Sequence, residues 1–213
     1  MSENHETFTT IRRKAYDELF DSTPSSSFLP HVLFKKPDER FHIDVFVYTL
    51  EADSGEIEVA VTNGMSDQRM VDLNAPESGS RRELIQYFPK CTEGHARLLH
   101  NLAWLPLFDG FLLDTYHSVA WGETTVPGTP WNNAFFLAPL IKSHQECFCE
   151  IEGDPVSFLW HIPISDKERA YKLEHCADAL IDRLEAVQLP WVFDEQNRPD
   201  LLGDESIRRC RHL

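Results

Sequence analysis

The residues with the most obvious chemical potential are His144, Cys147 and Cys149, spaced H-x2-C-x-C. Thiolates and imidazoles are the common zinc ligands, and a low-pKa thiol near a histidine is a nucleophile. On an extended strand Cys147 and Cys149 would project to one side. A structural zinc takes four ligands and a catalytic zinc three plus water. A further ligand would have to come from His161 or His175, and the chain has no second C-x2-C pair. The spacing therefore predicts paired core cysteines, with no metal and no cofactor. A thiol- or metal-dependent enzyme built on the Cys147/Cys149 region is the alternative.

Other constellations are poorer. His95 and His100 lie on one helical stretch but differ by roughly 140° around its axis, so they do not share a ligand. The H-E-x-x-H spacing, the G-x-S-x-G elbow and the phosphate-binding glycine loops are absent. Ser66 follows Gly64-Met65 in a loop, but no base accompanies it in sequence. Cys176 adjoins His175, yet neighbours on a helix point about 100° apart. No enzyme is predicted.

The elements that would position these residues follow from periodicity. Ile57, Val59 and Val61 alternate with Glu58 and Ala60, a half-buried strand that stops at Asn63-Gly64, a strong turn pair. Phe41–Leu50 alternates too, and Asp53-Ser54-Gly55 joins the two strands as a hairpin. Further strands are read at Glu83–Phe88, Phe111–His117, Ala134–Ile141, Cys147–Ile151 and Val156–Ile164, with a polar loop over Asn74–Ser80. Helices are read at Ile11–Phe20, at Glu93–Trp104 with Pro106 as its stop, and over Ser165–Val187. In the last, Ser165 and Glu168 form a capping-box pattern and Leu173, Ala177, Leu180 and Leu184 a buried stripe. The order predicts one α+β domain, with a mostly antiparallel or mixed sheet and helices packed on its faces.

Charge narrows the partners. The chain of 213 residues has 35 acidic and 20 basic side chains, a formal net charge of −15. Such a surface repels phosphate backbones, so no nucleic acid is expected, and it suits a basic protein partner. No apolar run reaches the ~18 residues of a membrane span, and no targeting signal is visible. Five irregularly spaced cysteines argue against a disulfide framework and for a cytoplasmic protein with reduced thiols. The pattern leaves the oligomeric state open.

The strand ending Val61-Thr62-Asn63-Gly64-Met65-Ser66-Asp67, followed by Arg82-Glu83-Leu84-Ile85, resembles the suppressor-of-fused domain family. The resemblance continues through the helix with Trp104, the Pro-Gly turn at Pro127, the strand at Phe158 and the helix after Ser165. It implies a single sandwich-like domain over residues 28–193, between an N-terminal helix and linker (1–27) and a loose tail (194–213). It also implies protein binding. Eukaryotic members restrain transcription factors, and short bacterial members resemble immunity proteins that neutralise toxins by direct contact. A basic toxin domain is then the expected partner. Loop carboxylates Asp67, Asp72 and Glu123 would meet it, beside Trp121 and Trp131, which bracket a Pro/Gly loop.

Overall fold

Two alternating strands form the first hairpin, and apolar side chains on both their faces require cover on both sides. These are β2 (Asp44–Ala52) and β3 (Gly55–Asn63), antiparallel from Asp44↔Asn63 to Ala52↔Gly55. Val45, Val47 and Ala60 face one side of the sheet, and Phe46, Tyr48, Val59 and Val61 face the other. The computed structural model describes residues 3–28, 42–52, 55–72, 75–109, 112–122 and 128–202. The hairpin tip, Asp53-Ser54, lies outside them.

Among the described residues nine strands make one mixed sheet. The others are β1 (Ser26–Phe28), β4 (Met70–Asp72), β5 (Ala75–Phe88), β6 (Ser118–Ala120), β7 (Asn133–Leu137), β8 (Cys149–Ile151) and β9 (Asp154–Ile164). The order is β1-β2-β3-β5-β9-β7-β6, with β4 on β5 and β8 on β9. Pairing is antiparallel except between β5 and β9, which run parallel from Arg81↔Val156 to Ile85↔Trp160.

The helices are α1 (Glu3–Leu19), α2 (Glu93–Asp109), α3 (Lys142–Gln145), α4 (Asp166–His175) and α5 (Ala177–Ala186). On one face α2 buries Ala96, Leu99, Leu102 and Ala103 against Val47, Leu84 and Leu159. On the other face Tyr16 of α1 and Leu180 and Leu184 of α5 join Val59, Ile85 and Ile162. This is the α+β architecture that the pattern predicts.

Several boundaries differ from the sequence reading. Ser26 and Ser27, read as linker, join Phe28 in β1 at the sheet edge. The expected polar loop over Asn74–Ser80 is the start of β5 from Ala75 on, paired with β4, so Asp72 lies on a strand. Pro106 does not stop α2, which continues to Asp109. Residues 112–117 form a loop with Tyr116 at φ 70, and the strand there is the short β6. β7 ends at Leu137, before Pro139, which has no amide for the ladder. β8 begins at Cys149, two residues later than expected.

The largest correction concerns the helix expected over Ser165–Val187. Cys176, at φ 78, breaks it into α4 and α5 and resets the helical phase. Leu180 and Leu184 are buried as the stripe predicts, whereas Leu173 is 61% exposed. The expected loose tail is also packed as far as Leu202. Val192 bridges to Tyr87, Phe193 and Leu201 are buried, and Arg198 is 9% exposed. Leu180→Ala should cost about 2–5 kcal/mol in equilibrium denaturation, the range for a filled core site. Leu173→Ala should change stability by less than about 0.5 kcal/mol. Equal losses at the two positions would contradict the break at Cys176.

Candidate functional site

A buried carboxylate sits at the end of β3 and gathers the loop that follows it. Glu83 of β5 is 0% exposed. A charge so placed must be satisfied on all sides. Its Oε1 accepts from the Gly64 amide at 3.0 Å, the Ser66 amide at 2.9 Å and the Ser66 hydroxyl at 2.7 Å. Its Oε2 accepts from the Thr62 hydroxyl at 2.6 Å, and Thr62 Oγ1 in turn accepts from the Leu84 amide. Gly64 has φ 141, and a Cβ there would lie 2.0 Å from the carbonyl oxygen of His42. Glycine is thus required both by conformation and by space. A 3-10 turn, Met65–Asp67, completes the loop.

Arg12 closes the network from α1. Its guanidinium is fully buried, donates to Asn63 Oδ1 and Ser66 Oγ, pairs with Asp67 at 2.6 Å and lies 3.5 Å from Glu83. Tyr16, one helical turn on, donates to the Thr62 carbonyl at 2.8 Å. Arg81 ties the turn's far side, donating to the Ser66 and Asp67 carbonyls and pairing with Glu152 and Asp154. Asn63, Gly64 and Asp67 therefore belong to an internal clasp. The side chain of Asp67, read as a partner contact, is 6% exposed and held by Arg12.

A second buried acid organises the other end of the chain. Glu168 closes the capping box with Ser165, and its Oε1 also accepts from Arg198 at 3.0 Å and from the Leu201 amide at 3.3 Å. The Arg198 guanidinium stacks over Trp131 at 4.0 Å, and Trp131 Nε1 donates to the Glu195 carbonyl at 3.2 Å. Trp131, read as a partner contact, is 4% exposed and fills the core. Trp121 is half-buried against the same cluster. The side chain of Asp72, and Glu123 altogether, fall outside what the structure describes.

Arg12 and the Glu168–Arg198 pair escaped the sequence reading, although signals exist. Arg12 falls on the apolar stripe with Tyr16 and Phe20 at i+4 and i+8, and Glu83 alternates in phase with Ile85 and Tyr87 on a core-facing side of its strand. A charge in either place implies a buried partner.

The thiol and imidazole groups do not assemble. Cys147 is exposed and its thiol donates to the Cys149 carbonyl. Burial pushes the Cys149 thiol up to about 12, the reverse of an activated nucleophile. His144 is buried, with Nδ1 2.8 Å from the Tyr87 hydroxyl, and burial lowers its pKa to about 4. Among the described residues no three His, Cys, Asp or Glu side chains converge as a metal site requires, and no helix is long and apolar enough to cross a membrane.

A mixed sheet covered by helices on both faces and clasped by internal acids defines an α+β domain. The chain belongs to the suppressor of fused protein family, whose model matches residues 39–198. It is similar in structure to a suppressor-of-fused homologue from Neisseria gonorrhoeae, with 14% identity, 93% of this chain and 99% of that one covered, and a TM-score of 0.71. The Sufu–Fu complex structure matches with 12% identity over 91% of this chain and 92% of that one, TM-score 0.69. Drosophila Suppressor of Fused matches with 12% identity and TM-score 0.69 over 91% of this chain, which spans 51% of that longer one. No curated protein sequence matches the chain.

Gly64→Ala should destabilise by clearly more than the ~1 kcal/mol of a strained φ alone, because the new methyl meets backbone. Glu83→Ala should cost about 3–5 kcal/mol, because it strands the buried amides and hydroxyls of the loop and removes one of the two carboxylates beside Arg12. Denaturation midpoints at or near wild type for either would mean that the loop is not pinned. His144 gives a pH test. Its folded pKa of about 4 lies below the ordinary value near 6.5, so the unfolded chain binds the proton first. Its contribution to stability is present above pH ~6.5 and is lost as pH falls towards 4. His144→Gln should flatten that part of a stability–pH curve, and an unchanged slope would count against it.

Proposed function

We propose that this chain is a protein-binding module of immunity type, which neutralises a basic toxin in the cytosol by direct contact. Membership of the suppressor of fused family supports the binding part, as does the Sufu–Fu complex, in which a protein of the same fold stands with a partner. The observation that carries the toxin reading is the excess of 35 acidic over 20 basic side chains. An acidic surface accelerates encounter with a basic partner and competes with the phosphate field that a nuclease toxin is built to meet. The raised pKa of Cys149 favours this reading over a thiol enzyme.

The carboxylates assigned to the partner are Asp72, at the end of β4, and Glu123, with Trp121 two residues before it. Asp67 is withdrawn from that set, because Arg12 holds it inside. Stopped-flow association with a cognate toxin domain should slow steeply as salt rises, since exposed charges are screened beyond ~8–10 Å at physiological ionic strength. Neutralising Asp72 and Glu123 together should reduce the on-rate more than it raises the off-rate. A salt-independent on-rate would refute charge steering, and the absence of any complex with a toxin would refute the reading itself.

A further inference from the structure

The sheet opens along one seam. Beyond Ile85↔Trp160, β5 parts from β9 and stays with β3, and the segment 189–193 enters beside it. The Phe193 amide donates to the Tyr87 carbonyl at 2.8 Å. On β9 the cause is Pro163. The Phe136 amide and carbonyl bond outward to His117 and Tyr116. Alternation then turns the backbone of Phe135 towards β9, and with it that of its register partner Ile162 towards β7. His161 and Pro163 face the seam, and proline has no amide to offer a strand.

Two apolar hollows lie along this seam. One, of 250 Å³, is walled by Ile162, Pro163, Pro190, Trp191 and Phe193 and has Asp194 in its lining. The other, of 160 Å³, lies between Leu140, Ile181 and Leu184 and has Glu185 in its lining. Trp160, Ile162 and Leu189 line both. Leu140, on the rim of the second hollow, is 57% exposed and so open to a partner.

Size and charge select the occupant. Each hollow is smaller than the ~300–1,000 Å³ of ordinary small-molecule sites, and each has the scale of one large side chain. Pro163 disfavours an added strand, so the contact is through side chains rather than a backbone ladder. Asp194 is ionised at neutral pH, since its carboxylate accepts from Asn197 Nδ2 at 2.7 Å and from the Gln196 amide at 3.0 Å. The positive charge on the wall, Arg198, is paired with Glu168 at 3.0 Å and stacked on Trp131. The electrostatic balance of the lining is therefore acidic.

From this we infer that the seam between β9, α5 and residues 189–194 is a docking cleft for a basic polypeptide partner, which seats two apolar side chains in the paired hollows. The cleft rests on the protein-binding reading above and is independent of the assignment of Asp72 and Glu123 to the partner.

The test uses the full chain and a fluorescein-labelled, lysine-rich peptide with two leucines four positions apart, followed by anisotropy. The peptide should bind one to one. Leu140→Ser and Leu189→Ser should each weaken it about tenfold, the loss expected of an anchor contact. Leu140→Ser changes an exposed residue, so folding is not at stake there. A peptide with serine for leucine should not bind. No binding by the wild type, equal binding by the variants, or equal binding of the serine peptide would overturn the cleft. So would binding that emerges only on deletion of residues 203–213, with Arg208, Arg209 and Arg211, since the chain's own end would then compete. A free protein with the mass of two chains, split by Leu140→Ser, would assign the face to a second copy and also overturn it. The two readings separate cleanly. A toxin complex indifferent to both substitutions removes the cleft and leaves the immunity role, whereas peptide binding without any toxin complex does the reverse.

Discussion

The carboxylate of Glu83 has no water to turn to, and much of the molecule is arranged to answer it. A buried acid is tolerated only where donors converge on it. Here they come from the Gly64 and Ser66 amides and from the Thr62 and Ser66 hydroxyls. The loop after β3 cannot relax without uncovering that charge. Gly64 is compelled because only a residue without a side chain passes His42 while aiming its amide inward. Arg12 supplies the countercharge, so α1 is fixed on the sheet by electrostatics as well as by Tyr16 and Phe20.

Glu168 repeats the logic elsewhere. One oxygen closes a helix cap and the other receives Arg198 and the Leu201 amide. A cap worth about 1 kcal/mol in a peptide thereby becomes the anchor of the segment that ends the fold. An acidic protein thus spends some of its acids internally, Glu83 and Glu168 each opposite an arginine. The loss of either arginine would leave a lone buried charge, which is why these pairs matter more than exposed ones such as Lys14–Glu18.

The sequence disclosed those parts of the structure that periodicity controls. The β2–β3 hairpin was legible because alternation and a turn pair agree, and the α2 stripe because its apolar residues recur at helical spacing. The break at Cys176 was not legible, since a positive φ at cysteine leaves no compositional mark of the kind glycine leaves. Leu173 misled for the same reason, being in phase with a helix that does not continue. The packed end of the chain was hidden because Arg198 stands in a polar run, and its meaning depends on Glu168, thirty positions earlier. Trp131 was ambiguous between core and surface, and only the stacked guanidinium decides it. The seam is a matter of strand divergence, which no local pattern encodes.

The parallel pairing of β5 with β9 sets an order on assembly. Arg81 meets Val156 across an intervening stretch that contains α2, α3 and three strands, and neither antiparallel neighbour can substitute for that contact. During synthesis Arg12 leaves the ribosome long before Glu83, and β5 waits longer still for β9. The central strands can therefore be closed only once β9 has emerged. Loop closure of this range slows folding more than it weakens the final state. The architecture consequently favours a protein that folds in one late, cooperative step, with its exposure to wrong partners concentrated in the interval before β9 arrives.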